Sequence, residues 1–244
     1  MIDLELATLR ARKLAFGLSH PRMRKALRQG VAAAIDHREA LGPLKPQTVL
    51  DVGANRGQFA LIARHLWPQA SIISFEPLPG PAAYWHRAME GDARARLVQA
   101  AIGAERQTMK INVTSADDSS SLLPLGETHQ KIYGSSVTDQ IEVKVAPLGD
   151  FVAPEEFRAP TLLKIDTQGF ELEVLKGMAG LEKNISHVYA ELSFVELYAG
   201  QPLASEVLSY LDGVGFELAG VYNIAADKDG KQIQADMLLK NRNA

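Results

Sequence analysis

Four acids close short apolar runs in this 244-residue chain: Asp51 after Thr48-Val49-Leu50, Glu76 after Ile72-Ile73-Ser74-Phe75, Asp166 after Leu162-Leu163-Lys164-Ile165, and Glu191 after Val188-Tyr189-Ala190. Such runs, rich in β-branched residues, read as buried strands. A carboxylate at a strand end can attract a cation, accept hydrogen bonds from hydroxyls, or take a proton. Beyond Asp51 the chain turns through Gly53 and Gly57, after which Phe59, Ile62, Ala63 and Leu66 recur at helical spacing. Asn55 is expected to cap that helix, with Gln58 three residues on, and Pro68 to stop it. In an open α/β sheet, ligands sit at the carboxyl ends of the strands beside such a turn, and glycines let them approach the backbone closely.

The spacing narrows the ligand. The turn reads G-x-x-x-G, lacking the middle glycine of the dinucleotide pattern G-x-G-x-x-G, and no G-x-x-x-x-G-K-[ST] phosphate loop is present. Asp51 favours a cationic ligand over a phosphate. Glu76, followed by Pro77, can accept both hydroxyls of a ribose. A ribose, a positive charge and no phosphate together suggest S-adenosyl-L-methionine.

Three blocks, Asp51-Val52-Gly53-Ala54-Asn55-Arg56-Gly57, Glu76-Pro77 and Leu163-Lys164-Ile165-Asp166-Thr167-Gln168-Gly169-Phe170-Glu171, resemble the FkbM family of S-adenosylmethionine-dependent O-methyltransferases. Ala101-Ile102-Gly103 and Tyr189-Ala190-Glu191-Leu192 fit in the same order, so the resemblance spans residues 46–239. Gln99 departs from it, standing where the family often has Asn. The resemblance implies an α/β, doubly wound class I methyltransferase (Rossmann-like) fold. Its seven-stranded sheet would carry a C-terminal antiparallel pair and an N-terminal helical extension. The implied reaction is methyl transfer to a hydroxyl of a sugar, glycan, glycolipid or secondary metabolite. The alternatives are an N-methyltransferase, a non-catalytic methyltransferase-like binding protein, or a dinucleotide oxidoreductase, whose glycine pattern fails.

Under this reading Asp51 and the backbone at Gly53 and Gly57 hold the amino-acid end of the cofactor, and Asn55 positions the turn. Glu76 takes the ribose with Pro77 beside it, and Ala100 and Ala101 flank the adenine. A protonated hydroxyl is a weak nucleophile and needs a base or a metal. Asp166 is the first candidate base, Glu191 the second and Glu171 the third. Lys164, on a buried strand pattern, needs a carboxylate partner. Mg²⁺ could sit between Asp166 and Glu191, but Leu192 stands where a third ligand would be wanted, so the metal-free route is preferred.

Composition agrees with a globular chain: 46% hydrophobic, 23% charged, no cysteine and a formal net charge of −3. Disulfides, zinc–thiolate sites and thiol nucleophiles are excluded, and nothing argues for a nucleic-acid partner. No apolar run approaches membrane-spanning length and no leader pattern is visible, so a cytoplasmic protein is expected, its oligomeric state left open. Residues 1–45 hold nine basic and four acidic side chains. They are expected to form a helical cap on the domain of residues 46–244. One piece carries Leu4, Leu6, Leu9 and Leu14, a second carries Met23, Leu27, Val31, Ala34 and Ile35, and Ser19-His20-Pro21 breaks them. The basic face either lies in water or docks an acidic or membrane-surface substrate. A third strand is expected at residues 96–101. Met109, Ile111 and Val113, like Ile141, Val143 and Val145, alternate as an inserted antiparallel pair. Residues 115–139 between them read as a polar loop covering the site, and His129 within it as a solvated side chain. Ala204 to Leu211 reads as a helix, and Asp227-Lys228-Asp229-Gly230 as the turn of a closing hairpin.

Overall fold

A computed structural model describes residues 2–115 and 119–243, with side chains from Ala7 onward. Asp117 and Asp118 of the expected cover, and the side chains of Leu4 and Leu6, lie outside that description. The chain runs through α1 (Ile2–Ser19), α2 (Pro21–Arg28), α3 (Arg38–Leu41), β1 (Thr48–Val52), α4 (Gln58–Leu66), β2 (Ser71–Phe75), α5 (Pro79–Ala88) and β3 (Ala95–Val98). It continues through β4 (Ala101–Ile102), β5 (Gln107–Thr114), α6 (Glu127–Tyr133), β6 (Val137–Ala146), β7 (Thr161–Ile165) and α7 (Glu171–Lys176). β8 (His187–Ser193), α8 (Ala204–Gly213), β9 (Phe216–Ala226) and β10 (Gln232–Asn241) complete it.

The main sheet has the order β3-β2-β1-β7-β8-β10-β9. The first five strands are parallel, and β10 pairs antiparallel with both β8 and β9. This is the seven-stranded class I methyltransferase arrangement that the resemblance implies. β1 is buried along its whole length because both faces are covered, which is why its sequence is a continuous apolar run. Leu50, Val52, Leu163, Ile165, Val188 and Ala190 pack on one face with α7 and α8 residues such as Val174 and Leu211. Val49, Leu162 and Tyr189 pack on the other with Phe59, Ile62 and Trp85. The chain leaves β1 toward β2 on one side and returns to β7 on the other, so the strand order reverses there. A crevice opens at such a switch point, beyond the carboxyl ends of the strands.

Several expectations need adjustment. The third strand stops at Val98, where Ala100 N–H turns back to the Val98 carbonyl at 3.0 Å. Ala101 and Ile102 instead join β6 in a separate sheet of order β4-β6-β5, which contains the expected antiparallel pair. Asn55 does not cap α4: the residue preceding that helix is Gly57, at φ 93°. Residues 115–139 are not simply a loop, since they contain α6 and a bridge from Leu125 to Tyr198. The second N-terminal helix ends at Arg28, and Val31 and Ile35 reach the core from beyond it.

Met23, Ala26, Val31 and Ile35 join the same apolar cluster as Phe59 and Trp85. Among the described residues, three of the nine basic side chains of residues 1–45 form ion pairs within the protein: Lys13 with Asp36 at 2.8 Å, Arg22 with Asp92 at 3.0 Å and Lys25 with Glu90 at 2.6 Å. Among the described residues no helix is long and apolar enough to cross a membrane.

Candidate active site

The crevice holds a cavity of ≈ 280 Å³ whose wall runs along four consecutive strand tips. Glu76, Pro77 and Leu78 supply it after β2, Gly53 and Asn55 after β1, Asp166 to Gln168 after β7, and Glu191 near the end of β8. Ser119 to Leu122 and two α6 side chains, His129 and Tyr133, close the far side. Adjacent strands lie ~4.8 Å apart, so Glu76 and Glu191, three spacings apart, stand at opposite ends of a trough ~14 Å long.

Glu76 is held as an acceptor. One carboxylate oxygen takes the Asn55 amide at 2.9 Å and the other the Leu78 amide at 2.8 Å. Each oxygen keeps acceptor capacity for a ligand. Burial pushes this carboxyl up to about 7, against the pull of those two amides.

Beneath the trough lies a buried ion cluster. Asp51 and Lys164 are register partners on β1 and β7, so their side chains share one face. The Lys164 ammonium is 3.3 Å from Asp51 and 3.7 Å from Asp166, and donates to the Gly53 carbonyl at 3.0 Å. Burial alone would drive this ammonium down; Asp51 and Asp166 more than reverse that, and it stays charged. Burial raises the Asp51 carboxyl, opposed by Lys164 and by the Ser74 hydroxyl, which donates to it at 3.1 Å. Lys164 thus has the carboxylate partner its sequence position demanded.

Asp166 and Glu191 are brought together by a third side chain. Gln168 Nε2 donates to Asp166 at 2.7 Å and to Glu191 at 3.3 Å. The amide is oriented by Tyr198, whose hydroxyl donates to Gln168 Oε1 at 2.7 Å, and the Gln168 carbonyl accepts from Ser121 at 2.6 Å. Gln168 sits at φ 56° and Asn55 at φ 45°, two of the three non-glycine residues with positive φ among those described. Sparsely populated backbone at two points of one cavity wall marks a constrained site. Burial raises the Glu191 carboxyl well above the usual range, and the charges of Asp166, Asp236 and Glu171 add to the shift. Glu171 is not among the lining residues: it takes the Thr167 and Gly169 amides and the Thr167 hydroxyl, bracing the turn after β7.

Of the residues singled out in the sequence, Gly53, Asn55, Glu76, Pro77, Ala101, Asp166 and Glu191 line the cavity. Asp51, Gly57 and Ala100 do not. Asp51 is wholly buried against Lys164, and Ala100 is packed inside. The glycines serve the protein's own packing: a Cβ on Gly53 would lie 1.8 Å from the Asp166 carbonyl oxygen, and one on Gly57 3.0 Å from the Trp85 ring. Gly53→Ala is therefore expected to cost about 2–4 kcal/mol, combining a left-handed backbone with a backbone clash. Gly57→Ala should cost less, since a side chain can shift. Urea denaturation of the two variants checks the order, and a milder Gly53→Ala contradicts it.

Sequence reasoning missed Tyr198 and misplaced His129. His129 is 2% exposed, its ring 5.1 Å from Tyr198 and 4.9 Å from Tyr133, with Nδ1 3.2 Å from the Ser135 hydroxyl. Gln168 stood inside the Lys164–Glu171 block, but no role followed from its type.

Residues 51–218 match the family described as Methyltransferase FkbM domain. The 2-O-methyltransferase NoeI of Sinorhizobium fredii is 27% identical over 226 residues, 89% of each chain. The 31-O-demethyl-FK506 methyltransferase FkbM of Streptomyces tacrolimicus is 31% identical over 197 residues, 71% of this chain and 74% of its own. The hexuronic acid methyltransferase AglP of Haloferax volcanii is 29% identical over 150 residues, 62% of this chain. The match spans just over half of AglP's own length, 55%.

Proposed function

The chain belongs to the FkbM methyltransferase family, and from that premise we propose that it is an S-adenosylmethionine-dependent O-methyltransferase acting on a hydroxyl of a sugar, glycan or hydroxylated metabolite. The observation that carries this reading is the division of labour along the trough: a lone, amide-held carboxylate at one end and a Gln168-joined pair at the other. Glu76 is suited to a ribose diol. Gly53 and Asn55 flank the amino-acid end, with Asp51 buried beneath them rather than presented to its positive charge. Pro77 and Ala101 remain the walls beside the nucleoside. When bound, S-adenosylmethionine supplies the electrophilic methyl group and leaves as a thioether.

The protein's part is alignment and proton handling. Glu191, with its raised affinity for protons, accepts the hydroxyl proton of the acceptor as its oxygen takes the methyl group. Asp166 orients that hydroxyl and is itself held by Gln168 and Lys164. This assigns the base role to Glu191 ahead of Asp166, the reverse of the order the sequence suggested. The relatives' names support oxygen as the acceptor atom, two of them being O-methyltransferases and a third acting on a hexuronic acid. Incubation with methyl-labelled cofactor and fractionated polysaccharide precursors, followed by location of the label on oxygen, tests the reading. Label on nitrogen, or none despite cofactor binding, rejects it. The transfer is expected to survive a chelator, because the Gln168 amide already bridges the two acids; loss on EDTA treatment with recovery on Mg²⁺ would reverse that.

Glu76 gives a pH signature. A diol donates to the ionised carboxylate, so cofactor affinity is present above a pKa of about 7 and lost as pH falls through it. Between pH 8 and pH 6 the ionised fraction drops about eightfold to tenfold, and affinity should fall with it. Glu76→Gln should bind about 1–3 kcal/mol more weakly at pH 8 and show a flatter profile. Calorimetry at both pH values checks this, and an unaltered affinity in the variant removes Glu76 from the ribose.

A further inference from the structure

We infer that the far half of the cavity, between the Asp166–Glu191 pair and α6, is an acceptor subsite that takes an uncharged polyol with one apolar face and turns away carboxylated or phosphorylated analogues. The inference rests on the methyltransferase reading above and names the acceptor class it leaves open.

Charge is the first ground. Glu76, Asp166 and Glu191 line the cavity, and among the described residues no lysine or arginine does. The Lys164 ammonium is buried beneath and engaged by Asp51, Asp166 and the Gly53 carbonyl. The Arg56 guanidinium lies over the Tyr84 ring at 4.5 Å. An anionic group on the acceptor would meet two carboxylates in a partly desolvated trough, with no lysine or arginine among the described residues of the wall to offset them. Like charges ~5 Å apart under such conditions weaken binding by about tenfold or more.

Hydrogen-bonding capacity is the second. Carboxylates only accept, and the Gln168 amide already donates to both. A ligand here must bring O–H donors, which is what a polyol has. The third ground is shape. Leu197, His129 and Tyr133 also line the cavity, and His129 lies 5.1 Å from the Tyr198 ring whose hydroxyl reaches Gln168. The α6 segment is pinned there by the Gly126 amide on the Leu197 carbonyl at 2.8 Å. Tyr133, 47% exposed, offers an aromatic face over which the C–H face of a ring polyol can lie.

The test uses the protein saturated with S-adenosylhomocysteine and saturation-transfer NMR at pH 8. The probes are methyl β-D-glucopyranoside and its uronic acid, which differ only at C6, with the corresponding galactose pair. Expected are transfer to the ring C–H protons of the neutral glycosides and affinity about tenfold or more lower for the uronic acids. Tyr133→Ala should weaken the neutral glycosides about threefold to tenfold while leaving S-adenosylhomocysteine affinity intact. The double variant Asp166→Asn, Glu191→Gln should let the uronic acids bind nearly as well as the neutral partners. Equal binding of the pairs, preference for the acids, no transfer to any neutral glycoside, or indifference to Tyr133→Ala overturns the inference. If S-adenosylhomocysteine itself does not bind by calorimetry, the methyltransferase reading fails and this one with it. If it binds and only the discrimination is missing, this inference alone falls.

Discussion

Replacing Lys164 with methionine is expected to lower stability by about 3–5 kcal/mol, the cost of leaving a buried charge without its partner. Methionine fills much of the same volume, so packing loss is small. What remains is Asp51, wholly buried and left with one hydroxyl donor, Ser74. The Gly53 carbonyl also loses its donor, and Gly53 shapes the turn on which the cavity stands. The variant carries its own pH signature. Without Lys164 the folded-state pKa of Asp51 rises further above its unfolded value, so the folded state binds the extra proton and stability is lost as pH rises. Urea denaturation should therefore show a larger deficit at pH 8 than at pH 5. Adding Asp51→Leu removes the stranded charge and should recover much of the loss, because replacing both members of a buried pair is far milder than replacing one. A single variant within 1 kcal/mol of the parent at pH 8 would refute the idea that Asp51 depends on this ammonium.

The same pair shows where sequence reading stopped. The strands, the turn through Gly53 and the acids at the tips were legible because each is written locally, as an apolar run followed by a breaker or a carboxylate. Asp51 reads as a ligand residue because it closes such a run. Alternation puts its side chain with Val49, on the face opposite Leu50 and Val52, and only the β1–β7 register sets Lys164 beside it. Register between strands more than a hundred residues apart is not local information. Tyr198 was invisible for the same reason: it reaches Gln168 thirty residues away through one hydroxyl. His129 looked solvated because α6 is only seven residues long, too short to show a period between Gly126 and Gly134. The two glycines are legible as turn residues, but that a Cβ there would meet the Asp166 carbonyl or Trp85 depends on contacts distant in sequence.

Glu191→Gln is expected to slow methyl transfer by about 10²–10⁴-fold, the usual contribution of a positioned general base. Glutamine keeps the shape and one acceptor oxygen, so cofactor affinity should hold while turnover falls. The parent's rate should rise with pH as Glu191 loses its proton and level off once it is ionised; in Glu191→Gln that limb should vanish. Asp166→Asn gives a different signature. After burial, the Asp166 charge is the largest cause raising the Glu191 carboxyl, so removing it should slide the rising limb to lower pH. The rate above the limb would fall less than in Glu191→Gln, because orientation is weakened while the base survives. If Asp166 is the base instead, the size of the losses is reversed: Asp166→Asn takes the ~10²–10⁴-fold loss of rate and Glu191→Gln the smaller one. Initial rates against pH with labelled cofactor, on whichever acceptor fraction takes the label, separate the two assignments. The separation holds because removing the base abolishes proton transfer, whereas removing the neighbour that Gln168 ties to it only loosens the acceptor's orientation.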